Sequence, residues 1–181
     1  MDSGTAMNVL LGVTGGIAAY KSAELCSLLR KDGHAVRVVL TENATRFVGA
    51  ATFEGLTGHP AMTSTYGDAM AHIEWAKWAD AAAIAPLTAN TMAKIAMGLA
   101  DDALTTVFLA IPRRTPIILA PAMNTEMWNH PATQRNRRWI EDMDRYRFVD
   151  PVNKRLACGD TGLGGLAPVP DLAAAIRECE R

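Results

Sequence analysis

A chain of 181 residues, 49% of them hydrophobic, can bury one real core, and a formal charge of −1 gives it no general attraction for a polyanion. Its densest basic run, Arg135, Arg137 and Arg138 beside Trp139, alternates with acidic neighbours at helical spacing and reads as a solvated helix face, so no nucleic-acid partner is expected. No run of about 18 apolar residues is present to span a bilayer, the polar start from Met1 to Ala6 leads into no signal-peptide core, and three widely spaced cysteines suit neither a disulfide framework nor a zinc site; a single cytoplasmic domain over 1–181 without a metal is expected.

Short apolar runs alternate with helical patterns along the chain, the signature of a parallel sheet covered on both faces. Residues 8–14 read as a first strand, followed by "GVTGGIAAYKS", where Gly12, Gly15 and Gly16 let backbone amides at a helix start approach an anion. The spacing is neither GxGxxG nor a Walker pattern, because no Gly precedes Lys21, and a tight strand-to-helix turn would also explain it. A helix over 17–31 is terminated by Gly33, and a second strand, 36–41, ends in Thr41, Glu42 and Asn43. Glu42 could serve a ribose hydroxyl; Thr41 could instead bond a phosphate or a ring edge.

A helix over 71–79 leads to a third strand, 81–85, which runs into "APLTANTMAKIA" and a helix over 89–97. Capping of that helix accounts for one of Thr88, Asn90 and Thr91, whereas three together suggest a second ligand-facing rim. A fourth strand, 116–120, opens into "PAMNTEMWNHP", followed by a helix over 133–142 and a short strand at 147–149. Asn124 can donate its amide to a carboxylate without the full attraction of an arginine, and Met123, Met127 and Trp128 offer either an apolar wall or core packing. Residues 150–170, rich in Gly and Pro, read as a long irregular stretch, a flexible flap. The expected fold is a doubly wound α/β parallel sheet, Rossmann-like or flavodoxin-like, in three α/β/α layers, with its ligand outside the carboxyl ends of the strands.

"PAMNTEMW" fits the PxMNxxMW motif of the flavin-dependent cysteine decarboxylases, and the rest of the chain from about 7 to 179 resembles that family in order. "TGGIAAYK" and "PLTANTMAKIAMGLADD" resemble its flavin rims, "HIEWAKWAD" its active-site histidine segment and "ACGD" its substrate clamp. The resemblance implies FMN held by Gly15, Gly16, Ile17, Thr41, Thr88, Ala89, Asn90, Thr91 and Ala122, the single glycine-amide rim suiting the one phosphate of FMN better than FAD. It implies substrate contacts from Asn124, Met127, Arg155, Leu156 and Ala157, with His72 as base and Cys158 as the proton donor that finishes the reaction. Histidine exchanges a proton near neutral pH, and a thiol with a pKa near ~8.5 is a reasonable acid there.

The implied activity is FMN-dependent decarboxylation of 4′-phosphopantothenoylcysteine to 4′-phosphopantetheine, a step of coenzyme A synthesis. An acylated cysteine has no electron sink beside its carboxylate; flavin oxidation of its CH2–SH unit supplies one. The family also implies a homo-oligomer, a trimer or a dodecamer, with FMN at subunit interfaces. Two alternatives stand beside this reading: oxidative decarboxylation of a peptide's carboxyl-terminal cysteine, and a non-catalytic flavin-binding regulatory subunit. One departure is local, since "TGLGGLAPVPDL" places Gly165, Leu166 and Ala167 where bacterial relatives carry an Arg-Met-Ala-Glu-Pro-like run.

Overall fold

The computed structural model describes residues 5–66, 70–155 and 161–179. In chain order its elements are β1 (Asn8–Val13), a 3-10 turn (Ile17–Ala19), α1 (Tyr20–Lys31), β2 (Ala35–Leu40), α2 (Glu42–Thr45), α3 (Ala50–Thr57), α4 (Ala71–Trp78), β3 (Ala81–Leu87) and α5 (Ala89–Met97). There follow α6 (Ala103–Ala110), β4 (Ile117–Pro121), α7 (Thr125–Asn129), α8 (Pro131–Glu141), β5 (Tyr146–Phe148), β6 (Val152–Arg155), β7 (Thr161–Gly165) and α9 (Val169–Arg177).

Five strands form one parallel sheet in the order β2-β1-β3-β4-β5, the doubly wound topology expected from the alternating pattern. The central strands β3 and β4 are buried along their whole length, which is why they read as unbroken apolar runs. On one face α1, α3 and α9 cover the sheet through Leu25, Leu29, Phe53, Leu172 and Ile176. On the other, Met92 of α5, Leu104 and Phe108 of α6 and Ile140 of α8 close the second core. Phe108 and Leu104 press so closely on Gly12 that a Cβ there would meet both.

The long stretch expected to be irregular contains regular structure. β6 and β7 pair as an antiparallel hairpin outside the main sheet, and α9 starts immediately after it. Pro168 is the N-cap of α9 and Pro170 lies in its first turn, where a missing N–H costs no hydrogen bond, so these prolines open a helix instead of interrupting one. α8 begins two residues before its expected start because His130 caps it, Nδ1 accepting from the Ala132 amide at 3.1 Å.

Candidate functional site

The strand order reverses between β1 and β3, so the loops leaving these two strands diverge to opposite faces and open a crevice at their carboxyl ends. A cleft of about 410 Å³ lies there, lined by the turn from Gly15 to Ala18, by Tyr20 and Lys21 of α1, by Pro86, Thr88 and Ala89, by Ala122 to Asn124 and Met127, and by Gly164 to Leu166. Four segments far apart in sequence converge on it.

Hydrogen bonds fix those segments to one another. The Thr14 hydroxyl donates to the Pro86 carbonyl at 2.7 Å and accepts from the Thr88 amide at 3.0 Å, tying the end of β1 to the start of α5. Thr88 caps α5, its Oγ1 accepting from the Thr91 amide at 3.4 Å and donating to the Thr91 hydroxyl at 3.3 Å. The Ala122 amide donates to Leu87 O at 3.0 Å, joining β4 to the same rim.

Gly15 is sterically required, because a Cβ there would overlap Asn43, whereas a Cβ on Gly16 would meet only Thr88 Cγ2 at 3.7 Å. Gly16 therefore leaves open space beside a helix start, the kind of cradle that suits a phosphate. The remaining wall is mostly apolar, and Lys21 is the single charged side chain among the described residues that line it. A flat, largely apolar ring bearing one phosphate fits this combination of a glycine cradle, a lone cation and an apolar wall.

Asn124 N-caps α7, its Oδ1 accepting from the amides of Glu126 at 2.8 Å and Met127 at 3.4 Å. Those two bonds fix the amide's orientation, so that Nδ2, a pure donor, is its opposite end. The Met123 amide donates to Gly164 O at 2.9 Å, seating the hairpin strand β7 on the Met123–Thr125 corner. Both therefore belong to one wall of the cleft.

Of the residues singled out in the sequence, the cleft brings together Gly15, Gly16, Ile17, Thr88, Ala89, Ala122, Asn124 and Met127. Thr91 is buried beneath the rim and Asn90 is exposed beside it. Thr41 is buried as the cap of α2, its hydroxyl accepting from the Ala44 amide at 3.2 Å. Trp128 packs into the core at 4% exposure, with Arg137 stacked 5.3 Å from its ring. His72 sits half-buried in the first turn of α4 and does not line this chain's own cleft. Its helix is held to β2 by Arg37, which stacks on Trp75 and Trp78 at 5.2 and 4.6 Å. Leu156, Ala157 and Cys158 lie outside the described residues, and Arg155 ends β6.

Tyr20, Lys21 and Pro86 also line the cleft; they lie within the two segments that resemble flavin rims but were not singled out there. A signal for Lys21 was present: it falls four residues after Ile17 and one after Tyr20, on the helical turn that follows the glycine cradle. Ile17 and Tyr20 stand out as apolar groups 64% and 60% exposed at the cleft mouth, with Met127 at 48% opposite them.

A model of the Flavoprotein family matches residues 2–180. The chain is 45% identical over 163 residues to the coenzyme A biosynthesis bifunctional protein CoaBC of Bacillus subtilis, an alignment covering 88% of this chain and 39% of that relative's length. It is 39% identical over 174 residues to a probable phosphopantothenoylcysteine decarboxylase of Streptococcus mutans, with 94% of this chain and 97% of the relative covered. Among solved structures it is similar to a Cys-to-Ser mutant of PPC decarboxylase complexed with pantothenoylaminoethenethiol, with a TM-score of 0.85, 34% identity and 96% and 98% of the two chains covered. The chain belongs to the Flavoprotein family.

Proposed function

We propose that this chain is an FMN-dependent phosphopantothenoylcysteine decarboxylase acting in coenzyme A synthesis in the cytoplasm. The observation that carries the reading is the convergence, in one cleft at the β1/β3 switch, of the glycine cradle, the Thr88 rim and the Met123–Asn124 corner. FMN supplies the oxidation of the substrate's CH2–SH unit that makes the carboxylate a leaving group. Everything else falls to the chain's own residues.

Gly16 leaves room for a phosphate at the helix start, and Lys21, the charged side chain among the described residues of the lining, is placed to meet a phosphate of cofactor or substrate. Asn124, locked by its capping bonds, offers Nδ2 to the substrate carboxylate; a neutral donor holds that group without resisting its departure as carbon dioxide. Met123, Met127 and Leu166 keep the neighbourhood dry. His72 takes a proton from the substrate and Cys158 returns one at the end, the latter role resting on the sequence motif.

His72 does not line its own cleft, which supports a reading in which its imidazole reaches substrate from a second copy of the chain. Exposed Ile17, Tyr20 and Met127 at the cleft mouth give that copy an apolar rim to cover. The proposed active species is a homo-oligomer, and a trimer or a dodecamer with FMN between copies is what the family resemblance implies.

Heat release of the bound ligand tests the cofactor assignment. FMN free of adenine is expected, and FAD or a nicotinamide nucleotide as the tight ligand would overturn it.

A further inference from the structure

Thr125 directly follows Asn124 in the first turn of α7, and its hydroxyl oxygen is buried with no hydrogen-bond partner. A valine or alanine at this position would avoid the free-energy cost of an unpaired buried hydroxyl, so its presence calls for an explanation. What covers it is the hairpin. A Cβ built on Gly162 would overlap Thr125 Oγ1, and would stand 3.1 Å from Thr125 Cγ2.

Two residues further along β7, a Cβ on Gly164 would overlap the Met123 carbonyl, and Gly164 has φ +146°, a conformation other residues rarely adopt. There the two segments do bond, Met123 N–H to Gly164 O at 2.9 Å. The strand thus rests its bare backbone on the corner at two points, with a hydrogen bond at one and an unpaired hydroxyl at the other. Gly164 and Gly165 line the same cleft as Asn124. The pairing of β6 with β7 is also irregular between Val152 and Asn153, so the hairpin register is not uniform along its length.

We infer that Thr125 is a positioning residue for the substrate wall. When substrate fills the cleft, β7 settles against the corner and a backbone carbonyl of the strand near Gly162 accepts from the Thr125 hydroxyl. β7 and Asn124 then act as one unit. The inference rests on the decarboxylase reading of the cleft. The hydroxyl adds no hydrogen bond to the fold as it stands, and the bond it makes in the complex places its effect on substrate binding and not on folding.

The test uses the flavin-loaded protein and three variants. Thr125→Val and Thr125→Ala both lack the hydroxyl but differ in bulk, and Thr125→Ser keeps it. With 4′-phosphopantothenoylcysteine, the first two are expected to raise KM roughly three- to tenfold with kcat within about twofold of wild type, while the serine variant stays within about twofold in both. Thr125→Val should melt at or above the wild-type temperature. Substrate should slow hydrogen exchange of the β7 amides in wild type and in Thr125→Ser, and less so in the other two. Unchanged KM and exchange in both hydroxyl-less variants, or equal losses in all three, would overturn the role. Failure of the wild-type protein itself to act on this substrate would overturn the decarboxylase reading, and the inference with it.

Discussion

Asn124 caps α7 through Oδ1, and the proposed reaction gives its Nδ2 the chemical work. Aspartate caps a helix as well as asparagine does, so Asn124→Asp should keep α7, the fold and bound FMN, while it places a carboxylate oxygen where a donor stood. Like charges in a dry cleft oppose binding by about 3 kcal/mol or more, so kcat/KM is expected to fall at least roughly a hundredfold with an unchanged flavin spectrum. Steady-state kinetics and flavin content on the same preparation check this. Cys26 is the opposite case, a thiol with no chemistry to do. Burial pushes its pKa up to about 11, Arg30 pulling weakly the other way, so in the native protein it should resist alkylation at pH 8 that goes to completion after denaturation, as peptide mass mapping would show. A raised thiol pKa favours the folded state fully below the unfolded value of 9.0 and ceases to do so as pH climbs toward 11; Cys26→Ala should accordingly flatten the alkaline fall in melting temperature. Thr41 caps α2 through its hydroxyl, and Trp128 takes the core-packing alternative of the two its residue type allowed, a choice that only tertiary packing makes.

Each element that carries the site is set by local rules, and α6 displays them most fully. Asp102 Oδ1 accepts from the Thr105 amide at 2.8 Å while Thr105 Oγ1 accepts from the Asp102 amide at 3.3 Å, and Lys94 pairs with Asp102 at 2.8 Å and with Asp101 at 2.7 Å. Burial works against the Asp102 charge, but Lys94 and the Thr105 bonds outweigh it and hold the carboxyl below its ordinary range. That contribution is complete above the unfolded carboxylate pKa and is lost as pH falls through the lower folded value. Asp102→Ala is therefore expected to cost about 1–2 kcal/mol at neutral pH, read from denaturant unfolding, with the gap to wild type closing in acid. All five parallel strands were legible because β-rich apolar runs and intervening helical patterns alternate so regularly. α6 was not: "ALTTVFLA" is apolar almost all round, since it is buried between the sheet and α4, and it shows no amphipathic period. The β6–β7 hairpin was hidden for another reason. Its glycines, which signal a loop in isolation, are there because β7 lies directly on the Met123–Thr125 corner.

At the scale of the whole molecule, the three-layer sheet gathers the cofactor rims at one end, and His72, in the first turn of α4, is not among the residues that line the cleft there. Motif order made the cleft legible in outline, because the segments after β1, β3 and β4 are the ones a doubly wound sheet must bring together. The absence of His72 from that lining was not legible, since sequence does not say which helices of a doubly wound fold border the crevice. Mixing tests the shared site. His72→Asn and Asn124→Asp proteins, each inactive alone, should regain activity when dissociated together and reassembled, because some clefts then hold both wild-type residues. No recovery in reassembled, FMN-loaded mixtures would place His72 and Asn124 in the same copy's site.

The mass of the product reads the reaction itself. Wild-type protein incubated with 4′-phosphopantothenoylcysteine should yield 4′-phosphopantetheine, lighter than substrate by one carbon dioxide only, because the two hydrogens removed from the CH2–SH unit are returned. Cys158→Ser should instead release the enethiol, lighter by those two hydrogens as well. Enethiol as the final product of the wild-type protein would contradict the account and favour oxidative cysteine decarboxylation, and recovery of unchanged substrate from FMN-loaded protein would contradict catalysis altogether.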